Sequence, residues 1–187
     1  WRLSIEDSAT VLANALRRKL DEHSGLPVRI VAHSMGGLVA RTALGIDAPL
    51  RQEFAKREGS RLVMLGTPNG GSHSMAMLLM GRDRLMRMLA LLDVTRDGRE
   101  HLQIISRFPG VLQLLPRDDA NDLFSLATWE KLKNADEDRD RWVLPRDEDL
   151  KSARDFRNRY AAYPVDDAGI LYVAGQADTP CGLLIDG

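Results

Sequence analysis

The chain has 187 residues, of which 44% are apolar and 28% charged, proportions that are ordinary for a soluble globular domain. Its formal net charge of −1 gives no bulk attraction to nucleic acid or to an anionic membrane, and no apolar run is long enough to span a bilayer. The single cysteine, Cys181, excludes an internal disulfide and favours a reducing compartment such as the cytoplasm, and no Cys/His spacing suggests a metal site.

An amphipathic helix opens the chain. Ser4 and Asp7 have the spacing of a capping box, and Gly25 and Pro27 end the pattern. The apolar positions that recur at helical spacing are Ile5, Ala9, Leu12, Ala13, Leu16 and Leu20. We expect this face to pack against the rest of the domain.

A buried strand over 28–32 and a helix over 35–44 follow, with Ser34 at the turn between them. A sharp strand-to-helix turn holds a serine in a strained backbone and lifts its hydroxyl off the end of a sheet. The turn needs small residues two positions before and after the serine, and Ala32 and Gly36 stand there. The sequence therefore predicts an exposed, nucleophilic Ser34.

The run AHSMGGLVAR, residues 32–41, resembles the nucleophile elbow of the α/β-hydrolase lipases and esterases, with Ala32 where the usual pattern has glycine. The resemblance implies that Ser34 attacks an acyl carbonyl and that the Met35 N–H stabilises the oxyanion. The alternative is that Ser34 merely caps the following helix. His33 is expected to line the pocket, because adjacent side chains at a turn diverge.

A second apolar strand, over 61–66, completes a βαβ unit, so the two strands should be parallel. The loop LGTPNGGSH, residues 65–73, resembles the branch of the lipases that is typified by lecithin:cholesterol acyltransferase and GPI-inositol deacylase. In that branch the loop lies beside the nucleophile, which implies a pocket-lining role for Asn69. A plain Pro/Asn/Gly turn is the alternative.

Residues from about 72 to 165 read as a mainly helical insertion, rich in methionine and leucine between 75 and 92. They form either an ordinary helical core or a lid over an acyl-chain pocket, since methionine adapts to irregular apolar ligands. The predicted fold is therefore a partial α/β-hydrolase domain. Its core comprises residues 1–71 and 166–187, a parallel sheet with helices on its faces, and the insertion separates the two parts.

The last strand is expected near 170–175, followed by the candidate catalytic acid Asp178 in a G-x-x-D spacing with Gly175. The same Y-V-A-G and T-P signature also resembles the acyltransferase-like branch, in which the acid comes later and Asp178 would only cap a turn.

The fold's chain order is nucleophile, acid, histidine, and no histidine follows Asp178. We therefore expect a fragment of a longer protein, with the base and further domains outside it. The predicted function is a serine acyl hydrolase or acyltransferase acting on lipid-like carboxylic esters, with no cofactor, no metal and no nucleic-acid partner. The alternative is a catalytically inactive module of the same fold that binds ligands or serves in an assembly.

Overall fold

The computed structural model describes residues 2–82, 98–118, 120–164 and 169–174. Within these ranges the chain is a mixed α/β protein with eight α-helices, one short 3-10 helix at Arg139–Arg141 and three strands. In chain order the elements are α1 (Ile5–Glu22), β1 (Arg29–His33), α2 (Met35–Ile46), α3 (Ala48–Lys56), β2 (Arg61–Leu65), α4 (His73–Leu79), α5 (Gly98–Ile105), α6 (Pro109–Leu112), α7 (Leu126–Ala135), α8 (Asp147–Ala162) and β3 (Ile170–Val173).

The three strands form one parallel sheet in the order β1-β2-β3. Val31 is in register with Val63, and Val63 with Leu171. The predicted parallel order is confirmed. Both ends of β1 lie one residue later than the sequence predicted, so that His33 belongs to the strand.

The chain folds into two compact units. One, here the sheet unit, contains Leu3–Asn69 and, in its later part, the described residues from Asn158 through β3. The other, here the helical unit, contains the described residues of Gly70–Arg157. Each unit has its own apolar core.

In the sheet unit, α1 begins where Ser4 accepts a hydrogen bond from the Asp7 N–H at 2.9 Å. Its core-facing positions are Ile5, Ala9, Ala13, Leu16 and Leu20, as its periodicity predicts. The buried guanidinium of Arg57 donates to the carbonyls of Leu20, His23 and Leu26. Arg57 thus binds carbonyls at the C-terminal end of α1 and in the turn that follows it.

Helix α3 was not predicted, because residues 51–60 read as a polar stretch. The Asp47 side chain accepts from the Leu50 N–H at 3.0 Å, and Pro49 occupies the first turn. Leu50 and Phe54, one turn apart, are buried in the core of the sheet unit. The cap, the proline and this apolar pair are the signals that could have identified the helix.

The two faces of the sheet differ. Ala32, Leu62 and Met64 are buried in the core of the sheet unit. On the opposite face, Val31 is 68% exposed and Leu171 is 56% exposed. The sequence predicted helices on both faces, and the described helices bury one.

The helical unit is built from α4 to α7, the 3-10 helix and most of α8, with no strand among its described residues. Its core includes Trp129, at 0% exposure, and Met80, and Met75 and Met77 pack against it. These contacts support the interpretation of the methionines as core; Met86 and Met88 lie outside the described residues. The lid role stays a prediction. None of the described helices combines the length and apolarity needed to cross a membrane.

Candidate active site

Ser34 occupies a strained turn between a strand and a helix. It follows the last residue of β1 and precedes Met35, the first residue of α2. Its backbone has φ 52° and ψ −129°, and no other described residue except glycine has a positive φ. Such a conformation costs about 1–3 kcal/mol and persists only where the surrounding structure enforces it. The sequence-based prediction of an unusual backbone at Ser34 agrees with this geometry.

The Ser34 hydroxyl does not cap the helix that follows. Although Ser34 stands at the N-cap position of α2, its side chain makes no capping hydrogen bond. An ordinary N-cap serine has an extended backbone and accepts from an amide of the first turn. The capping alternative therefore does not explain why a serine stands here. The residue as a whole is half-buried.

The backbone around Ser34 is held by the strand beside it. The Ser34 N–H donates a hydrogen bond to the Leu65 carbonyl at 2.9 Å, and the Gly37 N–H donates one to the Ser34 carbonyl at 3.1 Å. A Cβ at Gly37 would lie 2.0 Å from the Thr67 hydroxyl oxygen, whereas a Cβ at Gly36 would meet no described atom within 4 Å. In the part of the chain described, the glycine that the close packing requires is thus Gly37, although the sequence pattern pointed to Gly36.

Met35 supplies the first amide of α2. The first N–H groups of a helix have no partner within it, and the helix dipole places a partial positive charge there. The first turn of α2 contains no acidic side chain that would neutralise this charge. An oxyanion that formed at Ser34 would therefore meet a favourable local field.

His33 directly precedes Ser34, whereas Asn69 lies in the loop after β2, and the environments of the two side chains differ. His33 is exposed and lies on the same sheet face as Val31, since side chains alternate along a strand. Asn69 is half-buried in the loop after β2, where its N–H donates to the Thr67 carbonyl at 2.8 Å. Its Oδ1 accepts a hydrogen bond from the Tyr160 hydroxyl at 2.5 Å. Asp178 lies outside the described residues.

A histidine–carboxylate pair that the sequence did not reveal lies in the helical unit. His73 Nε2 is 3.2 Å from Asp118 Oδ2, and both side chains are nearly buried. Burial raises the pKa of the Asp118 carboxyl. The hydrogen bonds from the Ala120 N–H, the His73 ring and the Asn121 N–H together have the larger, opposite effect, so the pKa lies below its usual range. No local pattern links residues 45 positions apart, so only the fold could show this pair.

The described residues contain no group of three or more histidine, cysteine, aspartate or glutamate side chains that could hold a metal ion. Among these residues, moreover, no imidazole is hydrogen-bonded to the Ser34 hydroxyl. The chemistry that the described site offers is therefore a strained serine at the positive end of a helix.

Comparison with known proteins adds evidence at the level of the fold. No family model matches the chain, and no curated protein sequence does. The chain is similar to a protein chain in the crystal structure of the Tle4–Tli4 complex, with 18% sequence identity and a TM-score of 0.51. The similarity covers 88% of this chain and 41% of that one, so the chain spans about two fifths of the length of its structural neighbour. At this level of identity the comparison shows a shared fold.

Proposed function

We propose that Ser34 is the nucleophile of a serine acyl hydrolase or acyltransferase that acts on lipid-like carboxylic esters. The observation that carries the proposal is the backbone of Ser34, strained at φ 52° while its hydroxyl caps nothing. Strain of this kind concentrates at functional sites, since a residue with a purely structural role gains nothing from it. The elbow-like sequence and the shared α/β fold of the structural neighbour support the same assignment.

In the proposed reaction, Ser34 Oγ attacks the ester carbonyl and gives up its proton to a base. The tetrahedral oxyanion accepts a hydrogen bond from the Met35 N–H and then collapses, and the alcohol leaves with a proton from the protonated base. Water or another alcohol attacks the resulting acyl-enzyme, releases the acid or a new ester, and restores the serine. Asp178 remains the candidate acid that orients the base.

The parts assigned to binding extend this proposal. His33 and Asn69 would line the pocket beside the nucleophile. Such a pocket must be largely apolar to hold an acyl chain.

The second candidate function is a module that binds a protein or ligand without catalysis. The observation that favours it is that the similar solved structure is a complex. The strained conformation of Ser34 opposes it, because a binding role gives no reason to keep the strain.

The deciding experiment uses the full-length protein, a fluorophosphonate probe and a series of esters of increasing acyl length. We expect the probe to label Ser34, and Ser34→Ala to lower turnover by a factor on the order of a million while the protein remains folded. Ser125→Ala is the matched control, since Ser125 also precedes a helix without a capping side-chain bond. Absence of both labelling and turnover in the folded wild-type protein would instead support the binding module.

A further inference from the structure

A closed circuit of contacts in the sheet unit joins α2, the helix that follows Ser34, to the loop after β2. Gly37, in the first turn of α2, lies against Thr67, whose buried hydroxyl has no hydrogen-bond partner among the described residues. Asn69, two residues later, binds the hydroxyl of Tyr160 in α8. The ring of Tyr160 lies under the guanidinium of Arg41, which belongs to α2 again.

Tyr160 is the centre of this circuit. Its side chain is only 2% exposed, and the Arg41 guanidinium carbon is 4.3 Å from its ring centroid. Tyr163 packs edge-on against the same ring, with a centroid separation of 6.1 Å. A phenol held in this way can place its hydroxyl with little freedom, so the Asn69 amide that it binds is also fixed.

Arg41 anchors the other side of the ring. It donates to the carbonyl of Tyr163 at 3.2 Å, and a longer contact of 3.5 Å reaches the carbonyl of Tyr160. A cation next to the last carbonyls of α8 is favourable in the field of that helix. The planar guanidinium both stacks and donates, which the point charge of a lysine cannot reproduce.

We propose that Arg41, Asn69 and Tyr160, here called the Tyr160 clamp, are positioning residues that hold the 66–69 loop against the turn at Ser34. This inference rests on the proposed function of Ser34. The loop needs such support because Gly66 has φ 54° and its neighbour Thr67 packs tightly against Gly37. The Leu65 carbonyl at the start of this loop binds the Ser34 amide, so a shift of the loop is transmitted to the strained turn.

The test removes one hydroxyl. Tyr160→Phe keeps the stacked ring and deletes the hydroxyl that donates to Asn69, so we expect a folded protein whose Ser34 reacts about tenfold more slowly with a fluorophosphonate. The loss should appear in kcat more than in KM. Tyr163→Phe is the matched control: it deletes the hydroxyl of the neighbouring tyrosine, and we expect an unchanged reaction rate.

A second variant excludes a general loss of stability. Asn69→Ala breaks the same bond from its other side and also removes the contact of 3.4 Å from the Asn69 amide to the Thr67 carbonyl. Its effect should therefore be at least that of Tyr160→Phe, and the double variant should be no slower than Asn69→Ala alone. Amide exchange at 34–37 and 66–69 should accelerate in both single variants. This readout does not depend on activity.

The outcomes separate the two proposals. If Ser34→Ala abolishes labelling while Tyr160→Phe reacts at the wild-type rate, the proposed role of the clamp is wrong and the assignment of Ser34 as the nucleophile is supported. If the wild-type protein is not labelled, the proposed function is wrong, and amide exchange still decides whether the clamp holds the loop. Additive losses in the double variant would also contradict the clamp.

Discussion

The two units of this chain bury their apolar side chains in different ways. The sheet unit places long elements around a three-stranded sheet and leaves apolar side chains such as Val31 and Leu171 exposed on one sheet face. The helical unit surrounds large side chains with short helices and turns, so that Trp129 and Leu115 are completely buried. The unusual backbone at Ser34 belongs to the sheet unit. Among the described residues, local strain and an exposed apolar sheet face thus occur in the sheet unit, whereas the helical unit is packed around its own core.

Removal of a large buried side chain tests whether the helical unit depends on its own core, and it should give the greatest loss of stability. Trp129 is 0% exposed, donates to the Leu123 carbonyl at 2.8 Å and packs edge-on against Trp142. We expect Trp129→Ala to lower the free energy of unfolding of this unit by about 3–5 kcal/mol, because it leaves a large cavity. Amide exchange should rise within 98–157 before it rises in the sheet. Phe54→Ala is the matched variant for the sheet unit, and equal exchange in both units for both variants would contradict separate cores.

A smaller effect concerns the acid stability of the helical unit. Asp118 accepts hydrogen bonds from two backbone amides and from the His73 ring. Asp118→Ala should therefore lower the free energy of unfolding by about 2 kcal/mol at neutral pH. Since its pKa is lowered in the folded state, its charge stabilises the protein fully above its ordinary pKa of about 4, and this contribution disappears as the pH falls through the folded pKa.

The measurement is urea unfolding from pH 7 down to pH 2. The difference between wild type and Asp118→Asn should shrink in the acid part of this range. Asp155→Asn, at an exposed site on α8, is the control and should show no such change. A difference that stayed constant with pH would show that the Asp118 charge contributes nothing.

The smallest expected effect has the opposite sign and concerns the strained turn. Ser34→Gly should raise the free energy of unfolding by about 1 kcal/mol, because glycine tolerates φ 52° and the relieved strain exceeds its entropic cost. Ser34→Ala keeps the strained backbone and should not stabilise the protein. The check is chemical denaturation of both variants; a destabilised Ser34→Gly protein would mean that the turn stores no strain.

The elements whose signals are local could be predicted directly from the amino-acid sequence. The α1 stripe has helical spacing, and β1, Ser34 and α2 are marked by a change from a β-branched run to glycines and then to a helical pattern. The parallel order of the strands followed from the length of the connection between them. The strain at Ser34 could be predicted for the same reason, because a short strand-to-helix turn leaves few backbone solutions.

Contacts between residues far apart in the chain could not be predicted and emerge from the packing of the elements. The bond between Tyr160 and Asn69 joins positions 91 residues apart, and the pair His73–Asp118 joins positions 45 apart. No periodicity or spacing encodes such pairs, since their geometry depends on how whole elements pack. The exposed sheet face is also a tertiary result: Val31 and Ala32 are adjacent apolar residues in one strand, and only the placement of helices buries Ala32 and exposes Val31.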